Sequence, residues 1–305
     1  MDEVRVLAPA TFSNVVCGFD CLGFALERPF DKMTVRHIKE HEIRIVNLDN
    51  FDLPTDPKKN VAGVALGALL NRIDADFGFE IEINKGIRPG SGIGSSSASS
   101  CGAVVAANIL LDGRFSKLEL LEFAMQGEML ASGARHADNV APCIFGGFTL
   151  VRSTEPLDVV SLDFPPLFAT VIHPQIEIRT SEARSILPEH VPLKDAVQNW
   201  SNLGAFVAAL GKGNYALMAR SMDDLIVEPA RRSLIPKFDE VKDASLAAGA
   251  LGGGISGSGP SIFMLSSRIE TASLVQEAMA AIYAETDVEF NTYVSQISSS
   301  GVRHG

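Results

Sequence analysis

Basic side chains are in short supply. Lys and Arg number 26 against 37 Asp and Glu, a formal net charge of −11. No Lys/Arg cluster interrupts that balance, so the basic patch that marks a nucleic-acid binder is missing. An anionic ligand then has to be captured by local donors rather than by the field of the whole protein. Cysteine is scarce too: Cys17, Cys21, Cys101 and Cys143. None forms a CxxC pair, and Cys17 and Cys21 lack both a second pair and a nearby His. This argues against zinc and for free buried thiols in a reducing compartment. No apolar run approaches the roughly 18 residues of a membrane span. MDEVRVLAPA also lacks the basic-then-apolar pattern of a signal peptide. The expectation is a soluble, cytoplasmic protein that engages neither nucleic acid nor membrane.

What is present is an ordinary globular composition, 46% hydrophobic and 21% charged over 305 residues, long enough for one large or two ordinary domains. VRVLAPA, DKMTVRHI, EIRIVNL and FEIEIN read as strands. Asn60–Ile73, the small-residue run from Ser96 to Leu111, and Ser116–Gly133 read as helices. Ser116 with Glu119 makes a capping box, and Gly133 supplies the stop. In the second half LFATVIHP, IFMLSS and VEFNTYVSQI read as strands. Lys194–Leu210, Tyr215–Leu225, Ile235–Ala248 and Glu270–Tyr283 read as helices, and SSSGVRHG as a frayed end. Pro156, Pro165 and Pro166 punctuate a boundary, giving two α+β units over 1–160 and 161–305.

Between FEIEIN and the helix VVAANILL lies RPGSGIGSSSASSCGA, Arg88–Ala103. Gly90, Gly92 and Gly94 permit positive φ and close backbone approach. Ser95, Ser96 and Ser97 stand where the helix begins, with free N–H groups that favour an anion. Walker A is excluded, because no GK[ST] occurs. Gly252–Gly257 fits G-x-G-x-x-G but follows a helix and precedes a strand, the reverse of the dinucleotide-binding context. Gly249–Pro260 reads instead as a second close-approach loop.

Several polar residues stand in apolar company. Leu118, Leu121 and Met125 mark one helical stripe, and Glu128 continues it. A carboxylate there is costly unless paired or metal-bound. RHADNVAP gathers His136, Asp138 and Asn139, as a turn or as a site. ATFSNVVCGFDCLGFAL carries Asn14 and Asp20, which also suit an Asx turn. Arg184 in TSEARSILP and Arg231 in EPARRSLIP are each ordinary alone, but together they suit a carboxylate.

In the order APATFSNVVCGFDCLGFAL, GSGIGSSSAS, EMLASGARHADNVAP, TSEARSILP, EPARRSLIP and GGGISGSGPS, the chain resembles the GHMP kinase superfamily and, within it, the homoserine kinases. The resemblance implies a two-domain α+β fold. The N-terminal domain would be like domain 2 of ribosomal protein S5, and the C-terminal one ferredoxin-like. It implies Mg²⁺-dependent transfer of the ATP γ-phosphoryl group to L-homoserine in threonine biosynthesis, by a homodimer. Carried over by position, Arg88, Pro89, Gly90, Ser91, Gly92, Ile93, Gly94, Ser95, Ser96, Ser97, Ala98 and Ser99 would wrap the triphosphate, with Asn60 near the adenine. Ser96 and Glu128 would hold Mg²⁺. Asn14, Asp20, His136, Arg184, Arg231 and Gly257 would surround homoserine, and Thr180 and Asn139 would lie near the transferred group. Two departures stand out. Pro89 falls one place later than the family's loop proline, with Arg88 in its position. Asn139 replaces the aspartate of mevalonate-type relatives, and an amide is no general base. The rival readings are another small-molecule kinase of the superfamily, such as a mevalonate-type enzyme, and an inactive ligand sensor on the same fold.

Overall fold

A computed structural model describes residues 2–305. The first half of the chain is built on a twisted sheet. Strand β1 (Glu3–Phe12) pairs antiparallel with the long β2 (Leu22–Ile38), and β3 (Ile43–Asn47) runs parallel to β4 (Gly78–Asn84), which joins β2. The alternation in FEIEIN is real. Phe79, Ile81 and Ile83 are buried, while Glu80 and Glu82 face outward, held with Glu3 by Arg36 at 3.3, 2.6 and 2.7 Å. Against the buried face pack α1 (Val61–Arg72), α2 (Ser95–Leu110) and the short α4 (Val140–Phe145), with α3 (Lys117–Ser132) packed on these helices. Each start has a local cause. The Asn60 side chain accepts the Ala62 N–H at 2.9 Å. Ser116 and Glu119 form the expected capping box, and Gly133 closes α3 in the left-handed conformation.

Two strands escape the sequence reading. β5 (Phe148–Thr154) pairs with both β2 and β6 (Leu157–Leu162). A register shift between Val151 and Ser153 breaks the alternation that would have shown them.

The second half begins with β7 (Phe168–Pro174), α5 (Thr180–Ser185), α6 (Leu193–Lys212) and α7 (Tyr215–Ser221). It continues with α8 (Glu228–Arg231), α9 (Phe238–Ala247), β8 (Gly252–Ile255), β9 (Ile262–Ser266), α10 (Ile269–Ala284), β10 (Phe290–Gln296) and β11 (Arg303–His304). Its sheet is antiparallel in the order β10-β7-β9-β8. Numbered along the chain that is 4-1-3-2, with helices between the first and second strands and between the third and fourth. This is the ferredoxin-like arrangement.

Three expectations change here. The helix read over Tyr215–Leu225 stops at Ser221. Beyond it, the Asp224 carboxylate accepts the N–H groups of Ile226, Val227 and Glu228 at 2.9, 3.0 and 2.9 Å and opens α8 instead. Gly252–Gly254, read as loop, belongs to β8. A Cβ at Gly253 would meet the Phe263 carbonyl of β9 at 1.9 Å. The end is not frayed, since β11 pairs with β1 and Gly301 is buried against the backbone of α4.

The largest core cluster joins the two halves, with Phe12, Phe24 and Phe148 together with Leu167, Phe206 and Phe263. Phe12 and Phe24 stack at 4.9 Å, and Phe263 meets them edge-on at 5.2 and 5.5 Å. Each such ring stabilises the fold by roughly 1.5–3 kcal/mol relative to exposure. No helix among the described residues is long and apolar enough to cross a membrane.

Candidate active site

The glycine loop leads from β4 into α2 and does what its composition implies. Gly90, Gly92 and Gly94 sit at φ of 75, 76 and 73°, the left-handed region that favours glycine. Gly94 is the N-cap of α2 and provides no side-chain cap. The first N–H groups of a 16-residue helix are thus available to an anion. Loop and helix start form one wall of a cavity of about 360 Å³.

The loop is clasped by the second glycine segment. Ser256 Oγ donates to the Gly92 carbonyl and Ser261 Oγ to the Ser91 carbonyl, both at 2.6 Å. A Cβ at Gly92 would lie 2.6 Å from the Gly259 carbonyl oxygen. The two glycine-rich stretches, separate in sequence, are a single contact.

Glu128 faces the same cavity from α3, buried as its stripe implies, although Leu118 at the start of that stripe is exposed. Its Oε2 accepts the hydroxyls of Ser96 at 2.9 Å and Ser97 at 3.0 Å. Burial raises its carboxyl, and the two hydroxyls pull it back. A carboxylate beside a serine hydroxyl, at a helix start with free N–H groups, is an oxygen donor set of the kind Mg²⁺ takes when phosphates supply its other ligands. Among the described residues no group of three or more His, Cys, Asp and Glu could hold a metal unaided. Mg²⁺ bound with phosphate oxygens needs no such cage.

A second cluster lines the same cavity. The turn from β1 to β2 holds Asn14, Val16 and Asp20 at φ of 56, 49 and 58°, strained for non-glycine residues and most so for β-branched Val16. Asn14 fixes this turn by accepting the Asp20 N–H and donating to the Gly257 carbonyl, both at 2.8 Å. Arg184 of α5 forms a two-pronged pair with the Asp20 carboxylate at 2.9 and 3.2 Å. His136 lies 3.0 Å from Arg184 and 3.6 Å from Asp20. Arg231 is buried, donating to the carbonyls of Ala183 at 2.9 Å and Gly257 at 3.0 Å. Burial, and then Arg184, lower its pKa. The guanidinium groups of Arg184 and Arg231 both lie over the Phe19 ring, 5.5 and 5.1 Å from its centroid.

Asn139 and Thr180 line that cavity as well. Asn139 accepts the Thr11 hydroxyl at 3.0 Å and donates to Ser13 Oγ at 2.8 Å. Thr180 Oγ1 is 3.4 Å from Ser258 Oγ.

The sequence-derived residues therefore converge, with four qualifications. Ile93, Ser97 and Ala98 are buried beneath the loop rather than lining the cavity. Ser91 is buried too, its hydroxyl turned back to the Arg88 carbonyl at 2.6 Å. Asn60 is engaged locally, with its amide on the Pro54 carbonyl at 2.7 Å, while its neighbours Leu53 and Val61 reach the cavity. Arg88 lines a separate surface depression with Gln175 and Glu289.

Sequence reasoning missed three residues. Phe19 gave no signal beyond being one of many apolar residues. Asp138, named only as part of a loop, is buried in the cavity wall, and its pKa is lifted to about 7 by burial and then by Asp20. Lys85 lines the cavity from the end of β4 and is paired with Asp31. Burial raises the Asp31 carboxyl, and Lys85 opposes that rise. Lys85 was legible, being in phase with buried Phe79, Ile81 and Ile83.

The GHMP kinases N-terminal domain model matches residues 60–147 and the GHMP kinases C-terminal model residues 206–285. The homoserine kinase of Chlorobium phaeovibrioides is 44% identical over 318 residues, covering 99% of this chain and 99% of that protein. The crystal structure of homoserine kinase from Cytophaga hutchinsonii superposes with a TM-score of 0.95 at 47% identity, over 99% of this chain and 97% of that one. L. major mevalonate kinase shares the fold, with a TM-score of 0.75 at 14% identity over 97% of this chain and 96% of that one. With a phosphate-type loop, an acidic partner for it and an Asp–Arg cluster across one cavity, and with relatives this similar over their full length, this chain belongs to the GHMP kinase superfamily, among the homoserine kinases.

Proposed function

We propose that the protein transfers the γ-phosphoryl group of ATP to the side-chain hydroxyl of L-homoserine, giving O-phospho-L-homoserine. The observation that carries this reading is the sharing of one cavity by an anion-binding loop and a cluster of paired opposite charges. The loop N–H groups and the start of α2 receive the triphosphate. Ser96 and Glu128 would hold Mg²⁺, which supplies charge neutralisation on the transferring group. In the second cluster, Asp20 suits an ammonium, and Arg184 with Arg231 suits a carboxylate. Asp20 and Arg184 bond each other, so a ligand of one charge would free one partner and leave the other uncompensated. An amino acid answers both. His136, Asn14 and the Gly257 backbone complete that cluster.

The hydroxyl oxygen attacks the γ-phosphorus as the bond to the β-bridging oxygen breaks, and ADP leaves. Asn139 is an amide and takes no proton, so the hydroxyl proton departs late, to the phosphoryl group or to water. Positioning and preorganised charge carry the catalysis, which suits a loose phosphoryl-transfer transition state. Thr180, beside Ser258, contacts the group in transfer.

An ADP-release assay with homoserine, mevalonate, shikimate and galactose tests the assignment. Homoserine alone should support turnover. Mevalonate has a carboxylate but no ammonium, and Asp20 disfavours it. Activity on one of the other three without activity on homoserine would overturn the reading.

A further inference from the structure

Beneath the phosphate loop lies a charged pair to which the proposed chemistry gives no task. The ladder pairing Lys32 with Asn84 sets Asp31 of β2 opposite Lys85 one step further on. Each is in phase with the buried face of its strand, Asp31 with Met33 and Val35, Lys85 with Ile83 and Ile81. The Lys85 and Asp31 side chains are 1% and 0% exposed. A buried ion pair is a poor stabiliser compared with apolar residues of the same volume, so another role is to be sought in what the pair holds.

It holds both ends of the loop. Asp31 Oδ1 accepts the N–H groups of Gly86 and Ile87, each at 3.0 Å. Lys85 Nζ donates to Asp31 Oδ2, to the Ser95 carbonyl at 2.8 Å and to Ser99 Oγ at 2.9 Å. Ser95 Oγ closes the ring by donating to the Ile87 carbonyl at 3.0 Å. An ammonium has three hydrogens, and all three are engaged. Lys85 therefore lines the cavity without a donor left for a phosphate oxygen.

We infer that Lys85 is a positioning residue for the nucleotide. With Asp31 it sets the distance between Ile87 and Ser95, and so the direction of the N–H groups that meet the triphosphate. The inference rests on the kinase reading above. Its test compares the parent with Lys85→Met and with Lys85→Met/Asp31→Asn, in melting temperature, kcat, and KM for ATP and for homoserine. Lys85→Met leaves a buried carboxylate unpaired and should melt several degrees lower. Adding Asp31→Asn removes that charge, retains an acceptor for Gly86 and Ile87, and should restore most of the melting temperature. KM for ATP should nevertheless stay raised at least about tenfold in the double variant, because small misplacements of positioning groups are felt that strongly. KM for homoserine should stay near the parent value. A double variant whose ATP KM recovers along with its stability would overturn the inference. So would one that remains as unstable as Lys85→Met, which would assign the pair to the fold as a whole. A parent without homoserine-dependent ADP release would remove the kinase reading, and this inference with it.

Discussion

Asn139 and Glu128 face the same cavity with different capacities. Both ends of the Asn139 amide are engaged, by the hydroxyls of Thr11 and Ser13, and neither end accepts a proton. Asn139→Ala should lower kcat by less than about tenfold, whereas loss of a true base costs on the order of 10²-fold or more. A loss of that size would argue for a direct part in proton transfer. Glu128→Gln keeps an acceptor for Ser96 and Ser97 but drops the charge. Its kcat/KM should fall by at least about 10²-fold, as for removal of a preorganised electrostatic group, and should recover partly as Mg²⁺ is raised. Glu128 was legible because a carboxylate on an apolar stripe is conspicuous. Asp138 was not, because its backbone packs against Gly23, far away in the sequence. A Cβ there would meet the Asp138 carbonyl oxygen at 1.8 Å, a contact between distant segments that no local pattern announces.

At the scale of the element, the glycine loop before α2 depends on glycine for two separable reasons. Gly94 and Gly113 share nearly the same φ, 73 and 74°. A Cβ at Gly94 would lie 2.1 Å from Thr11 Oγ1, the hydroxyl that holds Asn139, while one at Gly113 meets nothing within 4 Å. Gly113→Ala should therefore lose about 1–2 kcal/mol of stability from backbone strain, and Gly94→Ala more, because its Cβ also displaces the Thr11 hydroxyl. Only Gly94→Ala should also raise KM for ATP, measured by initial rates. Equal KM values in the two variants would argue against the loop as the nucleotide site. The loop itself could be read from composition and from the strand and helix flanking it. The short α8 could not, since it exists because the Asp224 carboxylate captures three N–H groups. Nor could β5 and β6, whose period-2 signal is interrupted by a bulge.

At the scale of the whole molecule, two buried groups carry opposing pH dependences: Asp138, raised to about 7, favours the fold as pH falls through that value, and His173 opposes it. His173 on β7 is buried, with the Gln175 amide 3.1 Å from its Nδ1. Burial, and then Arg88, lower its pKa from 6.5 to about 4. The unfolded chain takes the proton first as pH falls. The stability this gives is complete above pH 6.5 and drains away toward pH 4. His173→Gln should make melting temperature fall less, or rise more, as pH drops across that window than it does in the parent, while an identical slope would place the acid sensitivity elsewhere. The two α+β halves could be anticipated from the order of strand and helix patterns. Their common aromatic core, with Phe263 set against Phe12 and Phe24, could not, because it depends on how two sheets meet.

The clasp of Ser256 and Ser261 on the Gly92 and Ser91 carbonyls spans 164 and 170 residues of chain. The shape of the first glycine loop is thus inherited from two distant stretches of the gene. Loss of either serine leaves a loop carbonyl without its partner, and any side chain at Gly92 would meet the Gly259 carbonyl. A chimera that takes its first loop from one relative and its glycine hairpin from another would import half of a fit.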